Sequence, residues 1–319
     1  MPTLQELIHS LEEGAGARVM KWVGFALAFI ALAFAYDLRG WRNFSNPEAM
    51  DAAQVARNLA DGHGYSTHFI RPASLYLLGQ KTGEGSLTNR HPDLANAPAW
   101  PALLAGAMRM VQVDYAIPAE GESSIYAPER FIACLNQGLF FVVLVLAWRL
   151  ARRLFDAEVA WLAVAVLAGT ELLWRFSIAG LSTMLAMVIL LAVTQLLLAA
   201  EQGGRDGAWS GARLFGAALL AGLLTGALGL TRYALGCLIL PVMFFFNFAF
   251  ATRGLSLGFA ALVGFAAVVS PWLMRNHELS GRLFGTAGLA AYQTTDRFPG
   301  NRLERLLDPS RPVVCRSSR

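Results

Sequence analysis

The stretch WVGFALAFIALAFAY (residues 22–36) is apolar from end to end and decides the fold. Residues 39–130 follow as one long and more polar stretch, and after Arg130 apolar segments again dominate the chain. Of the 319 residues 55% are hydrophobic and only 15% are charged, whereas soluble domains carry roughly 25% charged residues. The sequence therefore predicts an integral membrane protein. Its apolar runs are continuous rather than alternating, which excludes a transmembrane barrel and predicts an all-α polytopic fold.

Seven segments approach the length of a membrane-spanning helix, which needs about 20 apolar residues and tolerates about 17 to 25. We predict these spans at Lys21–Leu38, Phe131–Trp148, Val159–Trp174, Ile178–Ala200, Leu214–Leu230, Tyr233–Ala251 and Leu255–Met274. The third span is the shortest and carries Glu171 near one end. In the fifth, Ala218, Gly222 and Gly226 form a ridge of small residues, which predicts close packing on another helix.

Basic residues predict the orientation, because short cytoplasmic loops of membrane proteins are enriched in Lys and Arg. If the spans alternate, one side collects Arg18, Lys21, Arg149, Arg152, Arg153, Arg205, Arg213 and Arg253. We take that side as cytoplasmic, which places residues 1–20 inside, residues 21–38 and 131–274 in the membrane, and the loop 39–130 and the tail 275–319 outside. This bias also accounts for the net charge of +4, so no nucleic-acid partner is predicted. Leu4, Leu7, Ile8 and Leu11 share a face, which is typical of an interfacial helix within the first 17 residues.

Cysteine and histidine spacing indicates neither a disulfide framework nor a metal site. Cys134 and Cys237 lie within apolar runs and Cys315 lies in the tail. Three histidines (His63, His68 and His91) share the long loop, but no metal-binding spacing relates them. No cofactor is therefore predicted, and a role for a divalent ion is left open.

The long loop begins with a predicted helix whose first turn carries a carboxylate. Asn46 suits the N-cap, Pro47 the first helical position and Glu48 the positive end of the helix, and the helix should end near Ala60. The small residues Ala49, Ala52, Ala53, Ala56 and Leu59 form one face, which we expect to pack on the membrane bundle. Glu48, Asp51 and Asn58 should lie on another face, as either a solvated polar surface or a pair of functional carboxylates. Farther on, RHPDLANAPAWPALLAGAMRM (90–110) predicts an extended approach and a second amphipathic helix from about Pro98–Pro101, with Leu103, Leu104, Met108 and Val111 at the interface.

Four arginines, Arg130, Arg175, Arg232 and Arg275, fall on the predicted outer side, where the cytoplasmic bias does not account for them. Guanidinium groups bind phosphate bidentately, so together these side chains could hold an anionic head group at the outer leaflet. The alternative is that each one contacts lipid phosphates separately.

Three motifs resemble membrane glycosyltransferases of the GT-C class: EAMDAAQVARNLADGHGY (48–65), LTRY (230–233) and SPWLMRN (270–276) followed by Gly281. The chain is most similar to the bacterial family that includes protein O-mannosyltransferases and lipid A aminoarabinose transferases. The resemblance covers about residues 20–290. It implies transfer of a sugar from a polyprenyl-phosphate donor to a glycan, lipid or protein acceptor outside the cytoplasmic membrane. Members of this family usually have an Asp-Glu pair at the start of the loop and a longer C-terminal part. Here Pro47 precedes Glu48, and the chain is expected to be C-terminally short or a fragment.

The resemblance also implies roles for individual residues. Asp51 is the expected general base, with Glu48 as the alternate base or an orienting group. Arg232 and Arg275 are expected to bind the donor phosphate with a weaker contribution from Arg130, while His91, Asp93 and Tyr233 would line the acceptor side. Such a reaction should invert the anomeric carbon. The competing hypothesis is a non-enzymatic polyprenyl-lipid carrier or flippase, a structural membrane protein, or an inactive transferase fragment. A carrier would be expected to place more charge near the middle of its spans.

Overall fold

The computed structural model describes residues 15–39, 43–82, 90–111, 113–116, 125–250 and 252–289. The described chain is helical and without strands, its only ladder contact being an isolated bridge between Ser66 and Pro92. In chain order the α-helices are α1 (Ala15–Arg39), α2 (Pro47–Ala60), α3 (Pro72–Thr82), α4 (Ala99–Val111), α5 (Ala127–Leu154), α6 (Ala157–Gly169), α7 (Glu171–Ile178), α8 (Thr183–Arg205), α9 (Gly211–Thr231), α10 (Ile239–Ala249) and α11 (Gly254–Ser280). A 3₁₀ helix, Tyr233–Leu238, precedes α10.

Several of these helices are long and apolar enough to cross a membrane, as expected of a multi-pass membrane protein. By length and composition five described helices qualify, namely α1, α5, α8, α9 and α11, and a sixth span arises if the bent pair α6–α7 is counted as one. The predicted count of seven stays a prediction. Span ends also differ from prediction, because α8 begins at Thr183 rather than Ile178 and α11 continues to Ser280. Arg275 therefore lies within a helix and not in a tail. The predicted interfacial helix falls mostly outside the described residues, and so does Cys315.

The third predicted span, Val159–Trp174, is wrong as a single straight helix. The chain bends by 61° between α6 and α7. At the break Thr170 is extended, with φ −82° and ψ 107°, and its hydroxyl donates to the carbonyl oxygen of Val166 (2.8 Å). The indole Nε1 of Trp174 donates to the carbonyl oxygen of Ala168 (2.7 Å). These side chains satisfy carbonyl groups that a continuous helix would bond through its backbone.

The sixth predicted span, Tyr233–Ala251, is a composite of the 3₁₀ helix and α10. Its apolar residues, Tyr233–Ala249, are fewer than a straight α-helical span requires. A 3₁₀ helix rises about 2.0 Å per residue and an α-helix about 1.5 Å, so the two segments together extend roughly 28 Å, close to the ~30 Å hydrocarbon core of a bilayer. The tighter winding therefore lets a short segment run almost the full length of the bundle.

The bundle has two chemically different ends. At one end, which we call the arginine end, Arg153 Nε donates to Gln202 Oε1 (2.7 Å), and the Arg253 guanidinium lies beside Gly211. The opposite end, here the loop end, carries α2, α3 and α4. There the Lys81 ammonium donates to the carbonyl oxygen of His277 (2.7 Å), which attaches α3 to α11.

Small residues allow helices to pack closely both within the bundle and at the loop end. Ala218, Gly222 and Gly226 of α9 pack on α11, with Gly222 against the backbone of Ala261, as the small-residue ridge predicts. At the loop end, Ala49, Ala52 and Ala56 of α2 are buried in a cluster with residues of α4, α5 and α8. This cluster fixes α2 directly on the membrane bundle.

Candidate functional site at the loop end

Helix α2 forms as its sequence predicts. The Asn46 side chain accepts a hydrogen bond from the Glu48 backbone N–H (2.9 Å), Pro47 occupies the first turn, and Gly62 follows the helix with φ +79°. Its polar face is not a solvated surface, however. Asp51 and Asn58 are buried against polar groups of the loop, whereas Glu48 is exposed.

The Asp51 carboxylate lies in a fully formed polar network. Its side chain is 1% exposed. Oδ2 accepts from Arg71 Nη2 (2.5 Å) and from Asn96 Nδ2 (2.9 Å), and Oδ1 accepts from the Thr67 hydroxyl (3.2 Å). A buried carboxylate is stable only with such charge and hydrogen-bond compensation.

Asp93 lies beside Asp51 and shares two of its partners. Asn96 Nδ2 also donates to Asp93 Oδ2 (2.8 Å), and Arg71 Nη1 lies 4.0 Å from Asp93 Oδ1. The backbone N–H groups of Ala95 and Asn96 donate to the same carboxylate. Burial raises the pKa of Asp93, and the Asp51 charge adds to the rise, while these hydrogen bonds and Arg71 oppose it. We call Asp51, Arg71, Asp93 and Asn96 the carboxylate cluster.

Backbone pairing positions the second half of this cluster. The Thr67 N–H donates to the carbonyl oxygen of His91 (2.8 Å), and the Asp93 N–H donates to that of Tyr65 (3.2 Å), so the two segments run side by side. His91 is buried, and its Nε2 lies 2.8 Å from the Ser74 hydroxyl of α3. Burial lowers the pKa of His91 despite the nearby Asp93, which keeps the imidazole neutral at pH 7. These contacts give His91 a role in joining α3 to the 90–98 segment.

Arg275 connects the carboxylate cluster to α11. Its Nη1 donates to the carbonyl oxygen of Asp93 (3.0 Å) and its Nη2 to that of Tyr65 (3.2 Å). The guanidinium also lies over the rings of Trp272 (4.6 Å) and Tyr65 (5.2 Å). These contacts use most of the donors of Arg275 for holding the loop.

Tyr233 lies on the same side of the site. Its hydroxyl accepts from Trp272 Nε1 (2.8 Å) and lies 3.4 Å from the carbonyl oxygen of Asn96. The Tyr65 hydroxyl donates to that carbonyl oxygen as well (3.2 Å). Burial raises the pKa of Tyr65 well above its ordinary value, so its phenol stays protonated as a donor. The backbone of Asn96 is therefore held by Tyr65 of the loop and by Tyr233 of the LTRY segment.

A small cavity of about 40 Å³ lies between α2, α4 and the α7–α8 turn. Residues on its walls include Glu48, Asn96, Ala97, Gly180, Ser182 and Thr231. Next to it, Arg232 Nε donates to the Ser182 hydroxyl (3.2 Å) and Nη2 to the Thr183 hydroxyl (3.1 Å). In the part of the chain that the structure describes, no side chain donates to the Glu48 carboxylate. An exposed carboxylate thus lines the cavity, and a half-buried guanidinium bonds one of its wall residues, Ser182.

Arg130 lies apart from these groups. It is exposed in the first turn of α5 and interacts electrostatically with Asp37 of α1, whose carboxylate accepts from Gln137 (2.7 Å). Arg175 pairs with Glu171 of its own helix (2.7 Å). No described contact joins either guanidinium to the cavity.

Sequence reasoning did not identify Arg71, Thr67, Asn96 or Trp272. Arg71 precedes α3 within an otherwise unremarked stretch, and its charge gains meaning only through the distant carboxylates it contacts. Among the described residues, no three His, Cys, Asp or Glu side chains come together as a metal site would require. In the carboxylate cluster the cation is the Arg71 guanidinium.

Comparisons with known proteins assign no family to this chain. No family model matches it, and neither a curated protein nor a solved structure matches it significantly. Its chemistry must therefore be inferred from the site itself.

Proposed function

We propose that this protein is a glycosyltransferase. It would move a sugar from a polyprenyl-phosphate donor to an acceptor hydroxyl at the outer face of a bacterial cytoplasmic membrane. The observation that carries the proposal is an exposed Glu48 carboxylate on the wall of a cavity whose Ser182 hydroxyl accepts from the Arg232 guanidinium, on the end of the bundle where the loop helices meet the spans. Transfer from a lipid phosphate needs a base for the acceptor and a cation for the leaving group. Both are present there.

The geometry favours Glu48 over Asp51 as the base. A general base must come within hydrogen-bond reach of the proton that it removes. Glu48 is exposed at the cavity, whereas Asp51 is buried and already accepts hydrogen bonds from Arg71, Asn96 and Thr67. In this proposal Asp51 orders the loop, and Glu48, the alternate base in the sequence analysis, removes the acceptor proton.

Arg232 is the better candidate for the donor phosphate. It lies where α8 begins, and the N-terminus of a helix adds a partial positive charge that favours anions. Its Nη1 has no partner among the described residues, so it retains a donor for a phosphate oxygen. Arg275 contributes positive charge nearby, although its donors are bound to carbonyl oxygens.

An open groove supports a lipid-borne substrate. It has a volume of about 640 Å³ and follows one face of α11, along Val263, Ala267 and Pro271. The groove is mostly apolar and reaches Arg275 and Glu278 at the loop end. An isoprenoid chain lying in it would place its head group at the loop end, beside Arg275 and Glu278.

The proposed step balances without a further reactant. The acceptor oxygen attacks the anomeric carbon while the bond from that carbon to the phosphate oxygen breaks. The acceptor proton passes to Glu48, and polyprenyl phosphate leaves as an anion beside Arg232. Attack opposite the leaving group inverts the anomeric configuration.

The deciding experiment is in vitro transfer with purified protein in lipid nanodiscs. Radiolabelled polyprenyl-phosphate sugars would be supplied as a panel with candidate glycan, lipid and protein acceptors, and the product identified by mass. We expect a glycosylated product from at least one donor and none from the Glu48→Gln variant. Transbilayer movement of the donor in sealed proteoliposomes, without any product, would support a lipid carrier instead.

A further inference from the structure

The carboxylate cluster contains two buried acids for one cation. Asp51 and Asp93 are each 1% exposed, and Asn96 Nδ2 donates to both of them. Two carboxylates at such short separation repel each other strongly unless a cation or a proton offsets one charge. Arg71 is the cation that contacts both.

Arg71 reaches the cluster from outside. Its side chain is 38% exposed, and it lies immediately before α3, so one face of the guanidinium is open to water while Nη2 bonds Asp51. Other charged or titratable groups facing the pair lie on separate elements: Arg275 on α11, His91 and Tyr65 on the paired loop segments, and Tyr233 in the LTRY segment. Arg275 bonds the Asp93 carbonyl oxygen rather than its carboxylate, so it offsets less of the charge.

The acids determine where the cavity wall lies. Both carboxylates hold the Asn96 side chain, and Asp93 also accepts the backbone N–H groups of Ala95 and Asn96. Asn96 and Ala97 form the cavity wall near Glu48. A shift of the 93–97 segment would therefore change the cavity without altering Glu48 or Arg232.

We propose that Arg71 is a positioning residue for this site: by neutralising the Asp51–Asp93 pair it holds the Asn96–Ala97 wall against the cavity lined by Glu48. The consequence for catalysis rests on the proposed function, whereas the structural part does not. Arg71 does not line the cavity, so its effect reaches the substrate through Asp51, Asp93 and Asn96.

The first test measures charge balance and needs no substrate. Purified full-length protein is unfolded by heat between pH 5 and pH 8 as wild type, Arg71→Met, Arg71→Met/Asp93→Asn and Arg71→Lys. Each variant is compared with wild type at the same pH, because His91 also responds to acid. We expect Arg71→Met to unfold at a lower temperature at pH 8 and to recover toward pH 5, where a carboxyl can take up a proton. The double variant, with one acid fewer, should unfold at a higher temperature than Arg71→Met at pH 8, and Arg71→Lys should resemble wild type.

A matched control is the Arg57–Asp61 pair on the same loop, which is 3.8 Å apart and in which both side chains, unlike Asp51, are more than 40% exposed. Arg57→Met should change the unfolding temperature little, because exposed pairs contribute little stability. A loss in Arg71→Met that is independent of pH, or a double variant no more stable than the single one, would overturn the proposal. If Arg71→Met does not fold, folding of the double variant supports the proposal. If neither Arg71→Met nor the double variant folds while Arg71→Lys folds, the result counts against the proposal.

The second test follows the wall directly. Amide hydrogen exchange of the 90–98 segment should speed up about tenfold or more in Arg71→Met, and the double variant should restore much of the protection. Unchanged exchange there would overturn the positioning role. Where wild-type transfer is measurable, kcat should fall with little change in the donor KM. Absence of wild-type transfer would count against the proposed function alone, since the exchange and stability results stand without it.

Discussion

Exchanging the acid groups of Glu48 and Asp51 for amides separates the two possible bases, because the two carboxylates have opposite surroundings. Glu48→Gln removes an exposed charge in the first turn of α2. It loses a favourable interaction with the helix dipole of at most about 1 kcal/mol and no described side-chain bond. Removal of a general base typically costs about 10²- to 10⁴-fold in rate. We therefore expect Glu48→Gln to fold normally and to lose transfer.

Asp51→Asn should show the reverse balance. It removes the negative partner of Arg71 at 2.5 Å and leaves that guanidinium with Asp93 at 4.0 Å. Breaking a fully buried pair costs about 3–5 kcal/mol, and an exposed pair contributes at most about 1 kcal/mol. Since Arg71 is 38% exposed, we discount the buried value to about 1–3 kcal/mol. We expect lower thermal stability with transfer only partly reduced.

Both variants are assayed in the same nanodisc preparation, by transfer per folded molecule and by thermal unfolding. Wild type gives the reference for each measurement. The control matched to Glu48→Gln is Glu158→Gln, which alters an exposed first-turn acid near the arginine end. Asn136→Gln would not serve, because Asn136 is buried. Full transfer by Glu48→Gln together with complete loss in a stable Asp51→Asn protein would refute the assignment and return the base to Asp51.

Three further predictions concern packing, pH and donor binding. A Cβ at Gly222 would overlap the carbonyl oxygen of Ala261, so Gly222→Ala should force α9 and α11 apart and lower the free energy of unfolding by about 1–3 kcal/mol. Gly216→Ala on the same helix meets no neighbour and should be tolerated. Equal effects of the two substitutions on thermal unfolding would contradict this packing. The pKa of His91 is lowered in the folded protein, so the unfolded chain binds the extra proton and stability should fall as the pH drops below about 6.5. His91→Gln should weaken that loss of stability. An unchanged pH profile in this variant would exclude His91 as its source. Arg232→Glu should raise the donor KM or abolish transfer, while Arg130→Glu should have a smaller effect; equal donor KM values for Arg232→Glu and wild type would rule out the phosphate role of Arg232.

Features that depend on neighbours in the sequence were predictable. The Asn46 cap, Pro47 in the first turn and the Ala60 end of α2 follow from local backbone chemistry, and the structure has them. The small-residue ridge on α9 likewise follows from spacing alone.

The remaining features depend on contacts between distant parts of the chain. The burial of Asp51 was not predicted because its neighbours in sequence gave no sign of a partner, yet Arg71 and Asn96 make that burial favourable from 20 and 45 residues away. The bend at Thr170 was missed because its cause is a pair of side chains bonding carbonyl groups, which hydropathy does not register. The 3₁₀ helix was missed for a similar reason, because the hydropathy of an apolar segment is the same in a 3₁₀ helix and in an α-helix.

That tightly wound segment has a consequence for how the protein responds to bilayer thickness. Rewinding Tyr233–Leu238 as an α-helix would shorten it by about 3 Å and turn Tyr233 away from the Asn96 carbonyl oxygen. Lipids with short acyl chains should favour the contracted form and long ones the stretched form. Transfer and stability measured across nanodiscs of graded acyl-chain length should therefore pass through an optimum, and a flat response would show that the winding of this segment is fixed.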